Sequence, residues 1–184
     1  MYAHISEEGP QETVPDTAGE NVLHITKPAP GRSCGQCSLC CKLPFIEAPL
    51  FKPTGVWCQH CRPGKGGCSI YDARPDPCRE FLCLWLAFEY FDDRWKPTTA
   101  KLYVATENGG NRLAVHVDPA FPNKWREEPY FSQIKQWAIR YSAKQVQVAV
   151  YIKDRVIVIL PDKEVDLGNV ARADQANMER NQAC

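Results

Sequence analysis

Nine of the ten cysteines fall between Cys34 and Cys83, and this density constrains the fold more than any other feature of the 184-residue chain. Pro44, Pro49, Pro53, Pro63, Pro75 and Pro77 run through the same segment. Each proline removes a backbone donor and fixes φ, so regular structure is predicted to be sparse until Pro77. Something other than a ladder of backbone hydrogen bonds has to order such a stretch. Thiols do so as disulfides in oxidising compartments and as metal ligands in reducing ones. The chain opens without the basic stretch and apolar run of an export signal. The expectation is therefore a cytoplasmic setting in which the cysteines bind metal.

The first cluster, SCGQCSLCC, arranges Cys34, Cys37, Cys40 and Cys41 as C-x2-C-x2-C-C. Two cysteines three apart can point both sulfurs at one ion, and Gly35 lets the intervening backbone curl. The second cluster supplies Cys58, Cys61, Cys68, Cys78 and Cys83. Twenty residues separate Cys37 from Cys58 and seventeen separate Cys40 from Cys58; both spacings fit a zinc site built from two C-x2-C pairs. Cys34, Cys37 and Cys40 equally match the opening of a bacterial ferredoxin run, so zinc, iron and a [4Fe–4S] cluster all stay open. The thiolates exceed the four that one zinc or one cluster takes, and more than one metal ion is expected.

Around these ligands Lys42, Arg62, Lys65, Arg74 and Arg79 either offset thiolate charge or form a solvated face. Cys78 is expected at a helix N-terminus, where a thiol pKa falls. Cys83, inside CLWL, reads as a ligand or as a small buried hydrophobe. His60, within a C-x-x-C turn, is expected to point outward. His4, His24 and His116 are expected to be structural or solvent-facing, and no residue is assigned to catalysis.

Fold class follows from periodicity. Asp76 as N-cap and Pro77 as first residue open a helix predicted to run through Cys78–Phe91, apolar on nearly all sides and hence buried. Lys101–Thr106 and Arg112–Val117 alternate about an NGGN turn and predict a hairpin. From Pro129, Phe131, Ile134, Trp137, Ala138 and Tyr141 recur at helical spacing, and Gln145–Ile152 with Arg155–Leu160 predict a second hairpin through Lys153 and Asp154. The expected architecture is α+β: an irregular Cys-rich metal-binding region with a helix, then a four-stranded, mostly antiparallel sheet with helices on one face. The expected divisions are a disordered arm over 1–32, the Cys-rich region over 33–97, the sheet domain over 98–170 and a flexible tail over 171–184.

Through CGQCSLCC (Cys34–Cys41) and GCSIYDARPDPCREF (Gly67–Phe81), about a quarter of the chain, the sequence resembles the CxxCxxCC family, the YkgJ-type zinc- or iron-chelating domain. The resemblance implies a metal-chelating module with Cys34, Cys37, Cys40, Cys41, Cys68 and Cys78 as signature cysteines. Cys58, Cys61 and Cys83 resemble additions shared by a longer bacterial subgroup. One branch of the family is linked to flagellin lysine N-methylation, which would imply a methyl-donor site. The glycine clusters at Gly64–Gly67 and Gly109–Gly110 lack the strand and helix flanks such a site needs.

The leading expectation is a metal-binding cysteine-cluster protein, structural, regulatory or accessory rather than an enzyme, with a protein partner. The alternative is an iron-sulfur protein for redox, sensing or modification of a protein. Twenty-two basic residues balance 22 acidic ones, which argues against phosphate tracking on nucleic acid. No apolar run is long enough for a membrane span. Hydrolytic metal chemistry is disfavoured because four thiolates leave zinc no open position.

Overall fold

A computed structural model describes residues 27–65 and 67–171. The predicted tail from 172 onward, the arm up to residue 26, and with them His4, His24 and Cys184, lie outside the described residues. The rest is α+β. Two strands, β1 (Cys61–Arg62) and β2 (Gly67–Cys68), pair antiparallel in the Cys-rich region, with Cys61 opposite Cys68. Helices α1 (Asp76–Arg79), α2 (Leu84–Ala87) and α3 (Pro97–Ala100), each a single turn, lead into the main sheet.

That sheet holds β3 (Leu102–Glu107), β4 (Arg112–Val117), β5 (Gln147–Ile152), β6 (Arg155–Ile159) and β7 (Glu164–Asn169), in that spatial order. Both predicted hairpins form. The first turns on Asn108, Gly109 and Gly110, all at positive φ (51°, 61° and 94°), which the asparagine and the glycines tolerate. The second turns on Lys153 and Asp154. Between the hairpins α4 (Tyr130–Ser142) carries the chain across, so β4 and β5 run parallel while every other pair is antiparallel.

The sheet has five strands where four were expected. β7 escapes a reading by alternation because EVDLGN is polar and mostly solvent-facing, and Gly168 within it takes a φ of +66°. Its pairing with β6 slips between Val156 and Ile157, a bulge of the kind that glycine accommodates at a sheet edge. The predicted Cys78–Phe91 helix is also corrected. It divides into α1 and α2 with Phe81–Cys83 extended between them, and Pro75 rather than Asp76 takes the N-cap position.

The cause of that break is packing on two sides of one strand. Leu84, Trp85 and Leu86 join the main core with Leu102, Val104, Val115 and Val150. Phe81 instead packs against Leu39, Leu43, Tyr103 and Ala105 on the opposite face of β3. Residues 81–86 wrap the edge of β3, a path that a straight helix cannot follow. The apolar residues found on all sides of the segment are buried in two clusters rather than around one buried helix.

The main core is aromatic. Trp95 stands edge-on to Phe91 and Tyr130 at centroid separations of 5.5 and 5.1 Å, and tilts against Trp137 at 5.0 Å. Arg32 closes this core from outside: its guanidinium donates to the carbonyls of Trp85, Glu89 and Phe91 and lies over the Trp85 ring. Among the described residues no helix is long and apolar enough to cross a membrane.

Trp137 is 2% exposed and Ile139, two residues along α4, is 57% exposed. Replacing Trp137 by Ala should cost about 3–5 kcal/mol of unfolding free energy. Replacing Ile139 by Ala should cost within about 0.5 kcal/mol. Urea denaturation followed by fluorescence and circular dichroism compares the two.

Candidate functional site

The thiols are brought together by short turns. Cys37 N–H donates to the Cys34 carbonyl at 2.8 Å, across Gly35 at a φ of +52°. Cys41 N–H donates to Ser38 and closes the one-turn Leu39–Cys41 helix. The second cluster is then tied onto the first, because Cys58 N–H donates to the Cys41 carbonyl at 2.9 Å and Cys61 N–H returns to Cys58. Gly67, at a φ of +74°, lies so close to the first turn that a Cβ there would stand 3.8 Å from the Gly35 carbonyl. Cys78 enters from α1, through its N–H bond to Pro75.

All of Cys34, Cys37, Cys40, Cys41, Cys58, Cys68 and Cys78 line one cavity of about 240 Å³. All nine clustered cysteines are free thiols rather than disulfides. Cys61 and Cys83 stand behind the wall. Cys61 still belongs electrically to the cavity, since its thiol hydrogen-bonds with the Cys41 thiol and the Ser38 hydroxyl. Cys83 lies on the β3 side, within electrostatic reach of Cys34 and Cys37. Cys41 stands in the middle of the group, within electrostatic reach of Cys34, Cys37, Cys61 and Cys78.

Burial is the largest influence on the protonation of Cys34, Cys37, Cys61, Cys78 and Cys83. It pushes Cys83 up to about 11, and Cys61, with its Cys41 neighbour adding to the effect, up to about 11. Cys41 is raised furthest, chiefly by its hydrogen bond with Cys40 and then by burial. Burial also raises Cys37, against the amides of Leu39 and Thr98 and the Lys96 charge. The expected depression at Cys78 is not found: α1 is a single turn, and burial together with Cys41, Cys58 and Cys68 holds the thiol above its ordinary range.

Of the basic residues expected to offset charge, Arg74 does face the thiols and favours ionisation at Cys34 and Cys78. Lys42 is committed elsewhere, 2.6 Å from Asp118, and Arg79 pairs with Asp76 at 3.1 Å. Arg62 and Lys65 are exposed. The buried cation within electrostatic reach of the thiols is Lys52, 4% exposed, which nothing in a lone lysine of a proline-rich loop distinguishes. Its ammonium donates to the carbonyls of Lys42 (2.9 Å), Pro44, Pro53 (3.1 Å) and Val56 (3.2 Å). Burial lowers its pKa, and Cys58, Cys41 and Cys78 pull it back. His60 lines the cavity, and its carbonyl accepts from Ser69 N–H at 2.8 Å.

The donor chemistry of the cavity is soft sulfur, suited to zinc, iron or iron-sulfur ligation. As the side chains stand, no three His, Cys, Asp or Glu among the described residues converge on a point where an ion would sit. An ion would have to draw the sulfurs inward. No protein-family model, no curated protein and no solved structure matches the chain.

A second cluster lies across the sheet. His116 stacks between Tyr103 and Tyr151, each ring centroid 4.9 Å away, because the three are cross-strand neighbours on β3, β4 and β5. Its Nε2 lies 2.7 Å from Glu107 Oε1. Burial opposes ionisation of Glu107, but His116 and Arg112 outweigh it and hold the carboxyl below its ordinary 4.5. The structural role expected of His116 is thus met by a stack and a hydrogen bond that no spacing rule exposes.

Two outcomes follow from these contacts. Lys52→Met keeps the stem and removes the donors to four carbonyls, and should cost at least about 2 kcal/mol in urea denaturation at pH 7. Glu107→Gln should also destabilise the protein at pH 7. A depressed folded pKa stabilises above the unfolded value and is lost as pH falls through the folded one. The gap between Glu107→Gln and the parent should therefore hold above pH 4.5 and close below it, as measured in a pH series of denaturation curves.

Proposed function

We propose that the chain is a metal-chelating cysteine-cluster protein of the CxxCxxCC kind, acting in a structural, regulatory or accessory role in the cytoplasm. One observation carries the reading: seven free cysteines from two separate sequence clusters line a single cavity. Thiols gathered in this way have little to do as hydrophobes, since each stays only partly buried except Cys58. Metal binding answers both the excess of sulfur and the shortage of regular structure, because ligand binding energy becomes folding energy where few other contacts exist.

Zinc or iron would be held by sets drawn from Cys34, Cys37, Cys40, Cys41, Cys58, Cys61, Cys68, Cys78 and Cys83. Nine thiols exceed the four that one zinc or one cluster takes, which supports more than one ion. When bound, zinc would supply a rigid cross-link between the clusters, whereas a [4Fe–4S] cluster would supply an electron acceptor. The C-x2-C-x2-C spacing of Cys34, Cys37 and Cys40 favours the iron-sulfur alternative, with a redox, sensing or protein-modifying role. In either case the chain's own residues set the surroundings: Arg74 offsets thiolate charge, Lys52 pins the loop over 42–56, and the Pro44–Phe45 wall keeps water from one side. A protein partner suits the rim, where Phe51 (72% exposed), Val56 and Trp57 present apolar surface beside the cavity.

Purification without oxygen, followed by visible absorption and assay of zinc, iron and acid-labile sulfide, tests the reading. Tightly held zinc, or iron with sulfide, is the expected result, and Cys37→Ser or Cys40→Ser should lower it while Cys184→Ser leaves it unchanged. Chelation should then unfold the segment over 34–95, seen as new protease cleavage there. Protein that holds no metal under these conditions sinks the proposal.

A further inference from the structure

On the opposite side of Pro44, Phe45 and Phe81 from the thiols lies a second cavity, of about 260 Å³. Its floor is the sheet face that carries Tyr103, His116 and Tyr151, with Glu107 at one end and Lys153 and Thr54 at the other. The two cavities share a wall and differ in chemistry. One is lined with sulfur, the other with aromatic rings and a small set of polar groups, the composition typical of small-molecule sites.

The polar groups of this second cavity have one bias. Glu107, its only carboxylate, is already engaged by His116 Nε2 at 2.7 Å and lies within reach of the Arg112 charge. Arg112 itself is held by Gln147 Oε1 at 2.9 Å and the Tyr151 hydroxyl at 3.0 Å. Lys153 makes no ion pair and no side-chain hydrogen bond among the described residues. Its stem is seated on Gly55, where a Cβ would meet Lys153 Cγ and Cε at 3.2 Å. Glycine there lets the lysine lie against the loop instead of swinging out. His116 Nδ1 makes no hydrogen bond among the described residues and is not among the buried atoms left without one. With Nε2 turned to Glu107, Nδ1 is the ring nitrogen left without a protein partner among the described residues. The Thr54 hydroxyl adds a further donor. Carboxylate capacity is used up and donor capacity is spare.

We infer that this cavity binds a small organic carboxylate, its apolar body against Phe45, Phe81 and Leu43 and its anionic head between His116 and Lys153. Glu107 acts as a positioning residue: its contact with Nε2 fixes the imidazole orientation, so that Nδ1 is left for the ligand. The site draws on none of the cysteines and meets the thiol cavity only at the shared wall of Pro44, Phe45 and Phe81.

The test uses the full chain as purified, titrated with acetate, benzoate and 3-phenylpropionate and, beside them, acetamide, benzamide and 3-phenylpropanamide. Binding is followed by calorimetry and by the His116 imidazole resonances. At least one carboxylate should bind saturably, shift the His116 signals and bind more tightly than its amide. Lys153→Met keeps the apolar stem on an exposed turn and should weaken that carboxylate at least roughly threefold, the scale of a partly exposed ion pair, with the melting temperature unchanged. His116→Gln should weaken it as well, and Lys153→Met serves alone where His116→Gln fails to fold. Three results overturn the inference: no carboxylate saturates, amide and acid bind alike, or Lys153→Met weakens binding by less than that factor.

Discussion

Strand β3 is buried on both faces by chain that precedes it, and the rest of the molecule depends on that burial. Leu102 and Val104 face Leu84 and Leu86, while Tyr103 and Ala105 face Leu39, Leu43 and Phe81. An edge strand left bare would present unpaired backbone groups and a half-open core. Here the Cys-rich segment covers it, and Phe81 meets Tyr103 edge-on at a centroid separation of 5.1 Å. The cost falls on local structure, since residues 81–86 give up a helix that their composition would otherwise support. The gain is a rigid platform from which Cys34, Cys37 and Cys83 are held near the sheet.

What could be read from the chain depended on whether the determining contacts were local. The β3–β4 and β5–β6 hairpins and α4 each carry a local signal, apolar strands about a turn in the hairpins and a helical period in α4. The register between β4 and β5 is parallel because a helix, not a turn, joins them. Residues 78–91 misled for the opposite reason. Apolar side chains on every side look the same whether they fill one core or two, and only the topology around β3 distinguishes these. β7 was invisible because pairing with β6 uses backbone groups, while its side chains face solvent.

The same distinction applies to the candidate sites. Gathering of the two cysteine clusters was legible because thiols are scarce and their spacing is stereotyped. The cation that works among them was not. Lys52 is set by four carbonyls of the loop over 42–56, a backbone arrangement with no side-chain signature. The five basic residues that stand close in sequence mostly find other partners or solvent. Likewise Glu107, Arg112 and His116 are separated by a turn and gain their relation only through the β3–β4 register, in which Glu107 lies opposite Arg112.

The shared wall of Pro44, Phe45 and Phe81 joins these observations. A proline-rich loop has little reason to be flat against a sheet unless something anchors it at both ends. Lys52 anchors one end by its carbonyl contacts, and the bond from Gly55 N–H to the Leu43 carbonyl at 3.2 Å closes the loop on itself. At the other end the Cys58-to-Cys41 backbone bond fastens the loop to the first cysteine turn. The loop is thus a partition between two cavities, sulfur on one side and aromatic rings with an imidazole on the other. Sulfurs drawn inward by an ion would pull on Cys41 and Cys58, the same residues that hold the partition, so its position, and the width of the second cavity behind it, answer to what the thiols hold.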